Sequence, residues 1–151
     1  VYLLSNLGFV AALDSLDGQI LWMNAYEDLA PGQDPVHPEM GQMATNPILF
    51  WQGELLLAPQ DTDILISMDA ESGEFRWRIP RSRHTTLLGA SPQGCILGGP
   101  NITAINLADP LKRGSVLWRW YPSGASLISL GRAFVKDDSV FVSGPLRRYQ
   151  G

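Results

Sequence analysis

One spacing limits what this chain can fold into more than any other feature: an Asp, a Gly four places later and a Trp four places after that. It occurs as Asp14, Gly18, Trp22 and again as Asp69, Gly73, Trp77. A third, looser copy has Asn106 for Asp, with Gly114 eight places on and Trp118 four beyond it, the turn having grown around Ala108-Asp109-Pro110-Leu111. An Asp or Asn at a strand end accepts hydrogen bonds from the N–H groups of the turn that follows. Gly supplies the positive φ that closes the turn without a Cβ clash. The next strand then carries away a Trp, whose large ring and single N–H donor suit it to wedge between neighbouring sheets. Tandem recurrence of such a unit is the mark of stacked modules.

Each motif sits within four short strand patterns. The second copy reads as strands over 47–50, 54–58, 64–68 and 74–79, with turns at Trp51-Gln52-Gly53, at 59–63 and at 69–73. The third reads as strands over 86–90, 95–98, 102–106 and 115–121. A fourth opens with 132–136, an Asp137-Asp138 turn and 139–143, and the first lacks its first strand. Four short antiparallel strands per repeat are the pattern of propeller blades. The expected fold is therefore all-β, a partial β-propeller of about three four-stranded antiparallel blades. Residues 1–151 form a single propeller fragment, with a partial first blade over 1–25, a long loop over 26–46, blades over 47–80 and 86–121, and the start of a fourth over 131–145. Unpaired strand edges in an open ring are templates for self-association.

Composition removes several function classes. Of the residues, 45% are hydrophobic and 17% charged, which is globular and not disordered. The net charge is -4, and the Arg76, Arg78, Arg81, Arg83 and Arg147-Arg148 groups form no continuous basic stripe. Nucleic acid is thus not an expected partner. The single cysteine, Cys95, lies in an apolar run and reads as a small buried hydrophobe; it excludes an intrachain disulfide. No stretch approaches the roughly 20 apolar residues of a membrane-spanning helix. The sequence opens in strand pattern at Val1-Tyr2-Leu3-Leu4 without an initiator Met, so any targeting segment would lie upstream.

The repeat resembles Ala-x-Asp-x-x-Thr-Gly-x-x-x-Trp of the pyrroloquinoline-quinone (PQQ)-dependent alcohol dehydrogenases. The same repeat occurs in the non-enzymatic propeller lipoprotein of the bacterial outer-membrane assembly machine and in other PQQ-like repeat proteins. Ala12, Asp14, Gly18 and Trp22 match it, with Asp17 at the Thr position. Asp69, Ser72, Gly73 and Trp77 match, with Ser67 for Ala, and Ala104, Gly114 and Trp118 match in part. The resemblance implies an eight-bladed ring, of which this chain supplies about three blades, so the remaining blades of the same protein are expected partners. It also implies tryptophan docking between blades and a periplasmic, outer-membrane-associated or secreted setting. The quinone enzymes, as the resemblance implies, use an acidic base beside a calcium-bound quinone, a Trp beneath the ring and commonly a vicinal disulfide. No Cys-Cys pair exists in this chain.

Other candidates for chemistry read more simply as structure. Asp61-Thr62-Asp63 offers two carboxylates to calcium but suits a polar turn. His37, Glu39 and His84 lack zinc-site spacing. Gly98-Gly99-Pro100 lacks the spacing, Lys and helix of a phosphate loop. No catalytic, cofactor-binding or metal-binding residue is therefore assigned, and no cofactor is expected in this fragment. The long loop is the candidate partner-binding element. Tyr26, Glu27, Asp28, His37, Met40 and Met43 give it polar and adaptable apolar character. The leading expectation is a non-catalytic, protein-binding propeller scaffold. Two alternatives stand beside it. One is a fragment of a quinone dehydrogenase, with PQQ and calcium held mostly by other blades. The other is a carbohydrate-binding or sugar-active propeller.

Overall fold

A computed structural model describes residues 1–5, 8–26, 46–60, 62–81, 86–99, 101–121, 125–127, 133–136, 139–142 and 146–148. Every regular element among them is a β-strand. The chain divides into two compact units, Val1–Pro80 and Arg81–Gly151.

The first unit holds two antiparallel sheets in simple sequence order. One is β1 (Tyr2–Leu4), β2 (Phe9–Leu13) and β3 (Ile20–Ala25); the other is β4 (Leu49–Trp51), β5 (Glu54–Leu57), β6 (Ile64–Asp69) and β7 (Phe75–Pro80). The middle strands are covered on both faces. Leu55, Leu56, Leu57, Leu65 and Ile66 are fully buried, so residues 55–57 of β5 and 64–66 of β6 read as continuous apolar runs. The outer strands β3 and β7 share one alternating exposure pattern, with Trp22 and Asn24, and likewise Trp77 and Ile79, half-buried. Gln52 (φ 50°) and Gly53 (φ 84°) both take positive φ in the two-residue β4–β5 turn, the combination whose twist suits a tight hairpin.

Val10 and Tyr26 from the first sheet and its exit pack with Leu55, Leu57, Ile66, Met68 and Ala70 of the second, flanked by Leu4, Trp22, Ile48 and Ile64. Here the structure corrects the sequence reading of Tyr26. Expected at the start of a partner-binding loop, it is 1% exposed, and its hydroxyl donates to the Ser5 carbonyl at 2.7 Å. The ring belongs to the core because β3 delivers it there, its N–H closing onto Gly8 O at 2.9 Å. Asn46, at the other end of the 26–46 segment, is also buried and donates to Ala58 O at 2.7 Å.

In the second unit, β8 (Thr86–Ser91), β9 (Gly94–Gly98), β10 (Ile102–Asn106) and β11 (Val116–Trp120) form a four-stranded antiparallel sheet. β12 (Ala125–Leu127) pairs with β15 (Leu146–Arg148), and β13 (Ala133–Lys136) pairs with β14 (Ser139–Val142). Val135 and Val140 of the hairpin pack on Leu88, Ile96, Ile102 and Ala104. Residues 125–127 and 146–148 are too short to read as strands from pattern alone. The Asp137-Asp138 turn lies outside the described residues.

The three larger sheets are copies of one another at the level of register. Trp22 pairs with Ala12, Trp77 with Ser67 and Trp118 with Ala104. In each ladder the register shifts just after that partner, between Ala12 and Leu13, Ser67 and Met68, and Ala104 and Ile105. The residue left over on the outer strand is Leu21, Arg76 or Leu117, each directly before its Trp. Sheets of this kind, repeated along the chain, make the fold an all-β partial β-propeller.

Candidate functional site: the repeated turn and its tryptophan

The turn before each outer strand closes by the same two backbone bonds. Asp14 N donates to Gln19 O (2.8 Å) and Gly18 N to Asp14 O (3.1 Å). The equivalents are Asp69 N to Glu74 O (2.8 Å) with Gly73 N to Asp69 O (2.9 Å), and Asn106 N to Ser115 O (2.8 Å) with Gly114 N to Asn106 O (2.8 Å). The glycines take φ of 74°, 74° and 82°, the left-handed region in which a Cβ is strained. The side chain opening each turn accepts from within it. Asp14 Oδ1 accepts from Leu16 N (2.7 Å), Asn106 Oδ1 from Asp109 N (3.0 Å), and Asp69 Oδ1 from Glu71 N (3.0 Å) and Ser72 N (2.8 Å).

Asp69 also receives Arg76 Nη2 on its other oxygen at 2.6 Å. The Arg76 guanidinium, followed by the Ser72 backbone and hydroxyl donors, holds the Asp69 carboxyl well below the usual carboxylate range. A carboxylate depressed in the folded state contributes stability above its unfolded pKa, about 3.9. That contribution is lost as pH falls toward the folded value. Thermal midpoints of the parent and Asp69→Asn should therefore differ at pH 6, the parent higher, and converge as pH drops below about 4. A gap constant from pH 6 to pH 2 would show that the charge of Asp69 is irrelevant.

In the first unit the Trp of one sheet lies on the turn of the next. Trp22 Nε1 donates to Ala70 O at 3.3 Å, and Tyr2 Oη donates to the same oxygen at 3.2 Å. Asn24, two residues along the same face, donates from Nδ2 to Gly73 O at 2.8 Å. A Cβ at Gly73 would stand 2.6 Å from Trp22 Cδ2 and Cε3, so the turn needs Gly for close approach as well as for φ. Trp77 meets a different partner. Its Nε1 donates to Glu54 Oε2 at 3.0 Å, and the Ser67 hydroxyl donates to that same oxygen. Trp118 is 42% exposed, on an outer strand whose Val116, Leu117 and Trp120 are exposed too. The three indoles thus share a ladder position and differ in surroundings.

Sequence reasoning missed Tyr2, Asn24 and Glu54. The period of two from Trp22 was the available signal for Asn24; nothing local marks Glu54. Of the candidate loop residues, Glu27, Asp28, His37, Met40 and Met43 lie outside the described residues, as do Glu39, Asp61 and His84. Thr62 is buried, and its hydroxyl accepts from Ile64 N at 3.0 Å as a turn residue does. Trp51 is buried, and Trp120 is 49% exposed. Of the Arg cluster, Arg76 is tied to Asp69, Arg78 lies 4.2 Å over the Phe75 ring and Arg81 is buried. Burial pushes the Cys95 thiol up to about 12, which makes it inert as a nucleophile.

Two open clefts flank the junction in the first unit. One, of about 380 Å³, is bordered by Leu3, Leu4, Asn46, Pro47 and Ile48. The other, of about 550 Å³, is bordered by Val1, Leu13, Leu21, Trp22 and Glu71, and Tyr2 and Phe50 border both. Their walls are mostly apolar, and among the described residues no three His, Cys, Asp or Glu side chains come together to hold a metal. No helix among the described residues is long and apolar enough to cross a membrane.

No protein-family model matches the chain, and no curated protein matches it. Solved structures do. BamB from Moraxella catarrhalis superposes over 91% of this chain at 17% identity with a TM-score of 0.55. The quinohemoprotein alcohol dehydrogenase from Comamonas testosteroni superposes over 75% at 23% identity with a TM-score of 0.51. The chain spans 37% of the length of the first and 18% of the second. At these identities the likeness is one of fold, and it agrees with the repeat read from the residues: the chain is similar to the PQQ-like β-propellers.

Proposed function

We propose that the chain is part of a non-catalytic propeller scaffold that presents an outer strand to a protein partner. The observation that carries this reading is β11, where Val116, Leu117, Trp118 and Trp120 are 40–49% exposed in one five-residue strand, followed by Tyr121 at 61%. Contiguous exposed apolar surface marks interaction sites, and Trp and Tyr are the residues most enriched in them. The resemblance to the outer-membrane assembly lipoprotein supports a periplasmic, outer-membrane-associated or secreted setting. A photo-crosslinking residue at position 120, compared with one at Lys112 in the adjoining turn, tests the reading in cells. Protein adducts formed from 120 and not from 112 are expected. Adducts from 112 alone would remove β11 from the binding surface.

The likeness to the Comamonas enzyme favours a second reading, a piece of a quinone dehydrogenase. The residues described here do not fit the quinone site on their own. They bring no three metal-ligating side chains together, and one cysteine cannot make a vicinal disulfide. PQQ and calcium would then depend on other blades. Dye reduction by this chain after reconstitution with PQQ and calcium would overturn the scaffold reading.

A further inference from the structure

We draw no further inference here: the strongest candidate, the aromatic cleft of about 550 Å³ bordered by Tyr2, Trp22 and Phe50 at the junction of the first two sheets, opens beside Val1, the first residue of the chain, and nothing in the structure shows what covers it.

Discussion

Gly94→Ala is expected to destabilise the second unit by about 3 kcal/mol or more. Gly94 is buried at the start of β9, paired with Asn106 on one side and Ser91 on the other. A Cβ there would stand 1.9 Å from the Ile105 carbonyl oxygen, 3.0 Å from its carbon and 3.1 Å from Leu107 N. All three are backbone atoms, so no side-chain rotation can relieve the overlap. Relief requires β10 to move, and β10 is fixed by its ladders to both β9 and β11. Gly53→Ala is the comparison. A Cβ at Gly53 meets nothing within 4 Å, and only its φ of 84° resists substitution, at about 1–2 kcal/mol. Denaturant titration of both variants decides the matter. Equal shifts in midpoint would show that β10 yields freely at Ile105.

Gly73→Ala should also be severe. Left-handed backbone costs an L-residue about 1–2 kcal/mol, and overlap with Trp22 and Asn24 adds about 1–3 kcal/mol. Gly18→Ala has the same φ and open space, so it incurs the first cost alone. The difference between the two variants therefore measures the inter-sheet contact with backbone strain cancelled. A difference near zero would show that Trp22 is not held against Gly73 in solution.

Much of the fold was legible because its determinants are local. Asp, Gly and Trp act within one turn and one strand, and each turn closes on hydrogen bonds between residues the sequence already places together. The strands of the second and third sheets were legible from apolar runs broken by turn residues. Glu54 was not, because its role depends on β5 and β7 both approaching β6, bringing a carboxylate to Ser67 and Trp77 from 13 and 23 residues away. Tyr26 was misread for a related reason. The residues that follow it, Glu27 and Asp28, are polar, and only the packing of two sheets shows that the chain leaving β3 enters the core. The pairing of β12 with β15 has no local signature, since three residues cannot establish a period.

The third turn carries a further consequence. Asn106 and Trp118 are twelve places apart where Asp14 and Trp22, or Asp69 and Trp77, are eight apart. Yet Asn106 closes on Ser115 at 2.8 Å, as Asp69 closes on Glu74 at 2.8 Å, and Trp118 still faces Ala104. The extra residues are held by the turn's own contacts, Asp109 Oδ1 accepting from Leu111 N at 3.0 Å and Lys112 N donating to Asp109 O at 3.0 Å. Loop closure becomes only slowly costlier with length, about 0.6 kcal/mol per doubling. Length can therefore drift at this turn while the ladder on either side stays in step. A ruler of fixed length laid along this sequence counts two modules where hydrogen-bond register counts three.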